Sequence, residues 1–291
     1  MWTGIELLQP IQDIRTGYPF LEDISLVFSS RLFYLVLPIA IVLIFYWTVD
    51  KKKGGFLGLS CLSAFTFTTL CKTWIVQPRP WELDPDLIRV EGAHSNGYSL
   101  PSGHTAMSVS TYLPTAMMIR RKIISILLIA LTILIVASRL ILCVHTPLDI
   151  IAGVCVGAIS IVAAWKATEF SERSRGSFHL VMFLYAAAFA VFSVISIMAG
   201  EDLYELAQSM GFFYGMVLGR ILEYHYVSYT IRDFEIKRKS LIIIKGLLIG
   251  AVLLGIPMLL SKDFGTPIGG FLMMIWSFYL YPKLMMSHRD E

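Results

Sequence analysis

The sequence predicts an all-α fold, a polytopic transmembrane helical bundle of about nine spans that follows an N-terminal interfacial helix. Three observations predict it: the composition, a succession of long apolar stretches, and the way basic residues divide between alternate loops. Of 291 residues, 56% are hydrophobic and only 15% are charged, with a mean hydropathy of +0.69. A soluble domain carries about 25% charged residues, so this composition points to a bilayer. The net charge of +3 is too small to direct the chain to nucleic acid. Four cysteines, Cys61, Cys71, Cys143 and Cys155, show no CxxC spacing, so neither a zinc site nor a redox pair is expected. They are expected to be buried free thiols.

Residues 1–31 come first. Trp2, Ile5, Leu7, Leu8, Ile11 and Ile14 recur at helical spacing, with Pro10 expected to interrupt them. That pattern fits a helix lying in the membrane interface. No basic start followed by an apolar core marks a cleaved leader. A helix needs roughly 20 apolar residues to cross a bilayer. Nine stretches meet that need, at about 32–49, 55–76, 103–119, 123–141, 148–168, 178–199, 204–222, 241–260 and 267–286. The third and fourth are separated only by Arg120, Arg121 and Lys122, which suits a tight hairpin.

Basic residues test this layout. Lys51, Lys52, Lys53, Arg120, Arg121, Lys122, Lys166, Arg173, Arg175, Arg232, Lys237, Arg238, Lys239, Lys283 and Arg289 fall on one side. Outside the motifs discussed next, the other side has Arg15, Arg31, Arg89 and Lys262. Fifteen against four is a positive-inside asymmetry. It places the N-terminus outside and the C-terminus in the cytosol.

Ionisable residues in or beside spans are costly and call for a reason. Three clusters share the outer face of this layout. The first is Lys72 to Pro80, at the end of the second span; Lys72 and Arg79 stand two helical turns apart, on one face. The second is Pro101-Ser102-Gly103-His104, opening the third span. Ser102 is a natural N-cap. Gly103 lets an anion approach the backbone, and a helix N-terminus is a phosphate cradle. The third runs from Ser138-Arg139 to His145 and Asp149. Thr146 can cap the fifth span, with Pro147 at its first position. Asp149 lies one turn beyond His145 and can take the imidazole Nδ1–H, leaving Nε2 free. Each cluster alone has a structural explanation: snorkelling cations, a capped helix, a His–Asp pair at a helix start. Together, three cations, two histidines, a carboxylate and a glycine at one membrane face require a common one.

These residues resemble the type 2 phosphatidate phosphatases, the membrane branch of the acid phosphatase and vanadium haloperoxidase superfamily. The family patterns K-x6-R-P, P-S-G-H and S-R-x5-H-x3-D stand here as Lys72 to Pro80, Pro101 to His104, and Ser138 to Asp149, in order. The resemblance covers about residues 55–165. It implies a six-helix phosphatase core within 32–170, with 1–31 as an interfacial segment and 171–291 as additional transmembrane helices. It implies that Lys72, Arg79, Arg139, Ser102 and Gly103 hold the phosphate. It also implies that His145 attacks phosphorus, that His104 protonates the leaving group, and that Asp149 orients His145. Neither a metal nor another cofactor is implied.

The resulting expectation is a metal-independent lipid phosphate or diphosphate phosphatase in the plasma or inner membrane. Its partners are a lipid phosphate and the bilayer, and its site faces outside or the lumen. A lipid phosphotransferase using the same site is the alternative, and a vanadate-dependent haloperoxidase-like protein is a more distant one. Glu82, Asp84, Asp86, Glu91 and His94, in the loop 81–100, are candidate headgroup contacts or a solvated loop. Arg220 and Glu223 are spaced to pair on a helix.

Overall fold

The computed structural model describes residues 3–93, 97–200, 203–228, 231 and 236–287. Trp2, His94, Arg232 and Arg289 therefore lie outside the described residues. The described residues form helices and no strand. These are α1 (Leu8–Gly17), α2 (Phe20–Ser29), α3 (Leu37–Ile44), α4 (Lys51–Ile75), α5 (Pro80–Leu83), α6 (Gly103–Met118) and α7 (Lys122–Ile141). They continue as α8 (Pro147–Ser171), α9 (Arg175–Met198), α10 (Leu203–Tyr226), α11 (Ile236–Leu260), α12 (Lys262–Ile275) and α13 (Tyr281–Ser287). Short π-helical turns at Leu32–Val36, Phe45–Val49 and Trp276–Leu280 interrupt the series.

Among the described residues, six segments are long and apolar enough to cross a membrane: Phe20–Val49, Lys51–Leu83, Lys122–Ile141, Pro147–Ser171, Arg175–Met198 and Lys239–Leu259. Three of the nine expected stretches, 103–119, 204–222 and 267–286, are not among these. Helix α6 has only 16 residues and many hydroxyls. Helix α10 carries Glu205, Arg220 and Glu223. The last expected stretch is divided into α12, a π turn and α13. The segment that holds the expected stretch 32–49 extends back to Phe20. Pro10 does not interrupt α1. It sits in the first turn, where a missing N–H costs no intrahelical bond. Of the four thiols, Cys143 is buried, Cys61 and Cys71 are half-buried, and Cys155 is exposed beside Val154 and Ile151 on an apolar face of α8. Helix α7 shows Ile123, Ile126, Leu127 and Ile133 largely exposed, a continuous apolar face suited to hydrocarbon.

The chain divides into two compact units, Met1–Ile39 with Phe56–Lys166, and Ala40–Gly55 with Ala167–Glu291. In the first unit α6 packs on α7, and α2 packs on α7. Ala64, Ala106 and Val156 bring α4, α6 and α8 together, with Phe67 against them. Helix α8 approaches α6 through Gly153 and Gly157. A Cβ at Gly153 would stand 2.7 Å from the Ser102 carbonyl oxygen, and one at Gly157 would stand 2.7 Å from Val109 Cβ. Small residues four apart permit this contact. Helix α1 ties down the loop after α5: Gln12 Nε2 donates to the Asp86 carbonyl at 2.9 Å, and Gln12 Oε1 accepts from Ile88 N at 2.7 Å. Arg15, which is buried, donates to the Ile141 carbonyl at the end of α7.

In the second unit α10 packs against α12, and α12 against α11. Trp47 Nε1 donates to the Ser277 carbonyl at 2.8 Å. Glu223 is buried and ion-paired with Lys51. Arg220 and Glu223 meet through a third residue: Arg220 Nη1 donates to the Tyr46 hydroxyl at 3.0 Å, which donates to Glu223 Oε2 at 3.2 Å.

Candidate functional site

All eight residues singled out by the motifs lie in the first unit, and each is set by a local rule. Helix α4 ends at Ile75, with Val76 in the left-handed region at φ 51. The expected helical stacking of Lys72 and Arg79 is therefore replaced. Lys72 stands in the last turn of α4, and Arg79 follows on extended backbone, because Pro78 and Pro80 forbid another turn. Glu82 accepts the Arg79 backbone N–H at 2.7 Å. Asp84 accepts from Asp86 N. Two of the acidic loop residues thus serve the loop itself.

Ser102 caps α6 as expected, accepting from Thr105 N at 3.5 Å and from the Thr105 hydroxyl at 3.0 Å. A Cβ at Gly103 would meet only Thr68 Cγ2, at an ordinary 3.5 Å. Internal packing therefore does not require glycine there. Helix α7 ends after Arg139, and Cys143 takes the left-handed conformation at φ 53 before His145. Thr146 caps α8, accepting from Asp149 N at 3.3 Å, and Pro147 opens the helix. Ser102 N donates to the Asp149 carbonyl at 3.0 Å, so the starts of α6 and α8 are joined.

The loop 93–99 supplies carbonyls to all three cations. Lys72 Nζ donates to Tyr98 O at 2.6 Å, Arg79 Nε to Gly97 O at 2.8 Å, and Arg139 Nη2 to Ala93 O at 2.9 Å. Arg79 Nη1 also donates to Val144 O at 2.9 Å and faces His145 Nε2 at 3.2 Å. Arginine has no acceptor. Nη1 lies 3.5 Å from Nδ1 as well; with the nearer Nε2 taken as its acceptor, the ring proton is assigned to Nδ1. That nitrogen lies 3.5 Å from Asp149 Oδ2. Burial, then the charges of Arg79, Arg139 and Lys72, hold the His145 imidazole well below the usual histidine range, partly offset by a hydrogen bond with the Ser99 backbone. The ring is neutral at pH 7.

His104 is buried and its Nε2–H donates to the Ser29 carbonyl at 3.1 Å. Tyr34 stacks on its ring, with centroids 4.2 Å apart. Arg139 donates to the Ser29 hydroxyl, so one serine of α2 touches both groups. His104 also lies within electrostatic range of His145. Asp149 is fully buried. Its Oδ2 accepts from Thr146 N at 2.7 Å and from the Ser99 hydroxyl at 2.6 Å.

The structure thus brings the eight expected residues into one network and adds Ser29, Tyr34 and Ser99. Sequence reasoning missed these three. Ser29 and Tyr34 lie far upstream of the motifs, on elements read only as interface and apolar span. Ser99 had a signal in its place two residues before Pro101, but hydroxyls are common in turns.

Residues 53–173 match the PAP2 superfamily. Two curated relatives are similar to it. An undecaprenyl-diphosphatase of Sulfolobus acidocaldarius is 35% identical over 126 residues, 43% of this chain and 59% of that protein. A lipid A 4'-phosphatase of Porphyromonas gingivalis is 27% identical over 151 residues, 49% of this chain and 64% of that protein. The chain thus spans about three-fifths of the length of the curated relatives it matches. No solved structure matches it. With six segments among the described residues long and apolar enough to span a membrane, and similarity to membrane-lipid phosphatases, it is an integral membrane protein.

Proposed function

We propose that this protein is a lipid phosphate or diphosphate phosphatase working through a phosphohistidine. The observation that carries the reading is the state of His145: a neutral imidazole with its Nε2 lone pair facing Arg79 Nη1 at 3.2 Å. A nucleophile and a phosphate-binding cation so placed address the same phosphoryl group. His145 Nε2 attacks phosphorus, the phosphorus–oxygen bond to the lipid breaks, and the leaving oxygen takes a proton. His104 supplies that proton as the imidazolium formed against the bound phosphate dianion, becoming neutral again; in the resting structure its Nε2 faces the Ser29 carbonyl at 3.1 Å. Water then cleaves the phosphohistidine, returning His145 and releasing phosphate. Lys72, Arg79 and Arg139 offset charge on the phosphoryl oxygens, and the start of α6 offers the Ser102 hydroxyl and the Gly103 backbone N–H. Positioning and charge do most of the work in this chemistry. The relatives' names make undecaprenyl diphosphate and lipid A 4'-phosphate the first substrates to try.

The test is phosphate release by purified protein in detergent. The panel is those two lipids, phosphatidate, lysophosphatidate, sphingoid phosphates and phosphatidylglycerol phosphate, with and without an acceptor lipid. Release is expected from at least one, in excess EDTA, with inhibition by orthovanadate and no release by His145→Ala. Release by His145→Ala overturns the mechanism, and silence across the panel overturns the function. Phosphate appearing on the acceptor lipid would instead favour transfer.

The charge asymmetry of the loops supports a site on the outer or lumenal face, with the C-terminus cytosolic. In a cysteine-free background, Gly92→Cys is expected to react with an impermeant reagent on intact cells and Arg121→Cys only after permeabilisation. The reverse pattern overturns this orientation.

A further inference from the structure

The contact between Asp149 and His145 is long. The 3.5 Å from Nδ1 to Oδ2, like the 3.4 Å from Nδ1 to Ser99 Oγ, lies beyond the usual range for N–H donors in the resting structure. Ser99 stands beside both groups. Its Oγ lies 2.6 Å from Asp149 Oδ2 and 3.4 Å from His145 Nδ1. A carboxylate only accepts, so the hydroxyl proton points to Asp149, and the oxygen lone pairs are left for the Nδ1–H. Ser99 is fully buried. Its backbone is fixed too, with Ser99 N donating to Gln77 O at 2.9 Å. Asp149 Oδ2 has its second donor in Thr146 N, while Oδ1 is buried without a hydrogen-bond partner among the described residues.

We propose that Ser99 is a positioning residue for the nucleophile, linking Asp149 to His145 in an ordered chain of donors from imidazole to hydroxyl to carboxylate. The hydroxyl does two things. It fixes the Asp149 carboxylate through Oδ2, and it shares the Nδ1–H that keeps the Nε2 lone pair facing the phosphate-binding cations. The Asp149 charge thereby reaches the imidazole across the serine as well as through space. As His145 gains positive character during attack, the Nδ1–H becomes a better donor and the chain strengthens. Deletion of the hydroxyl leaves the Ser99 backbone in place and removes only this link. The proposal rests on His145 being the nucleophile, as argued above.

The experiment compares wild type, Ser99→Ala, Ser99→Thr, Asp149→Asn and the Ser99→Ala/Asp149→Asn double variant in detergent, each checked for wild-type thermal unfolding. Ser99→Ala is expected to lose kcat by about 10–100-fold, the range for a buried hydrogen bond to a charged group, with KM changed by less than about twofold because Ser99 does not touch the phosphate. Ser99→Thr, which keeps the hydroxyl, is expected to recover most of the loss. In the Asp149→Asn background, Ser99→Ala is expected to cost far less, since linked residues are not additive. Wild-type kcat in Ser99→Ala, equal loss in Ser99→Thr, or full additivity overturns the proposal. A second readout needs no turnover: in ring-¹⁵N-histidine protein, the His145 Nδ1–H resonance, assigned by its loss in His145→Ala, should move upfield in Ser99→Ala and stay in place in Ser99→Thr. An unmoved resonance overturns the proposal. Silence of the wild type across the lipid panel, with the resonance moving as expected, would instead overturn the assigned function and leave the hydrogen-bond chain standing.

Discussion

Two regions of this molecule bury charge, and they do so in opposite ways. In the second unit Glu223 meets Lys51 and the Tyr46 hydroxyl, and Arg220 bonds that same hydroxyl and lies over the Tyr46 and Phe178 rings. The carboxylate there is matched by a cation. In the first unit Lys72, Arg79 and Arg139 bond to carbonyl groups and a serine hydroxyl. Asp149 spends its Oδ2 on Ser99 and Thr146. Paired charge holds a fold together. Carbonyls and a hydroxyl that fix three cations around His145 aim them at one place. The same residue types, with different partners, separate a structural network from a site.

The largest contrast comes from removing one member of each. His145→Ala is expected to lower turnover on the order of 10⁶-fold, as loss of a nucleophile does elsewhere, with thermal unfolding shifted by only a few degrees. Glu223→Gln is expected to do the reverse. It leaves Lys51 without its carboxylate and should cost about 1–3 kcal/mol of stability, with kcat per folded molecule retained. Steady-state kinetics and thermal melts on both variants decide. If both variants lose activity and stability alike, the distinction fails.

A packing change should strike both properties of the first unit at once. Gly157→Leu drives a side chain into Val109 and the Ala106 carbonyl, at a cost of about 1–3 kcal/mol. Because α6 starts beside His104 and α8 carries Asp149, a fall in kcat should accompany the lower melting temperature. The same change at Gly17, where a Cβ meets nothing within 4 Å, should do neither.

The pH profile sharpens the electrostatic half of the comparison. His145 acts neutral, and burial with three cations holds its proton affinity down. Activity is therefore retained as pH falls through 6.5 and lost only below, where the folded protein protonates the ring. The acid limb of kcat/KM, which reports the free enzyme, should lie well under pH 6.5. Arg79→Gln removes one of the charges and should move that limb upward on the residual activity. An acid limb at or above pH 6.5 in the wild type would contradict the environment described.

The smallest effect concerns the backbone. Val76 is a β-branched residue at φ 51, a conformation that costs an L-residue roughly 1–2 kcal/mol. Val76→Gly should raise stability by about 1 kcal/mol in chemical denaturation, with a modest loss of kcat as the turn carrying Arg79 loosens. A destabilised Val76→Gly would show that its side-chain packing outweighs the strain.

Much of this was legible in the sequence. The apolar stretches at 123–141, 148–168 and 178–199 became α7, α8 and α9 because apolar length and helical hydrogen bonding are properties of a segment by itself. The caps at Ser102 and Thr146 were readable because a cap is made within three residues. The motif positions Lys72, Arg79, Ser102, Gly103, His104, Arg139, His145 and Asp149 could be singled out by residue type and spacing alone, and all lie in the first unit.

Other features were decided only by tertiary structure. No spacing rule places Ser29, 75 residues away, under the His104 ring nitrogen, or Ser99 between Asp149 and His145. Nor does local pattern show that Glu223 takes Lys51, 172 residues distant, as its ion-pair partner. Hydrophobicity and helix caps act along the chain and can be read from it. Hydrogen bonds and ion pairs depend on which groups folding brings within about 3 Å, and that distance exists only once the helices have packed.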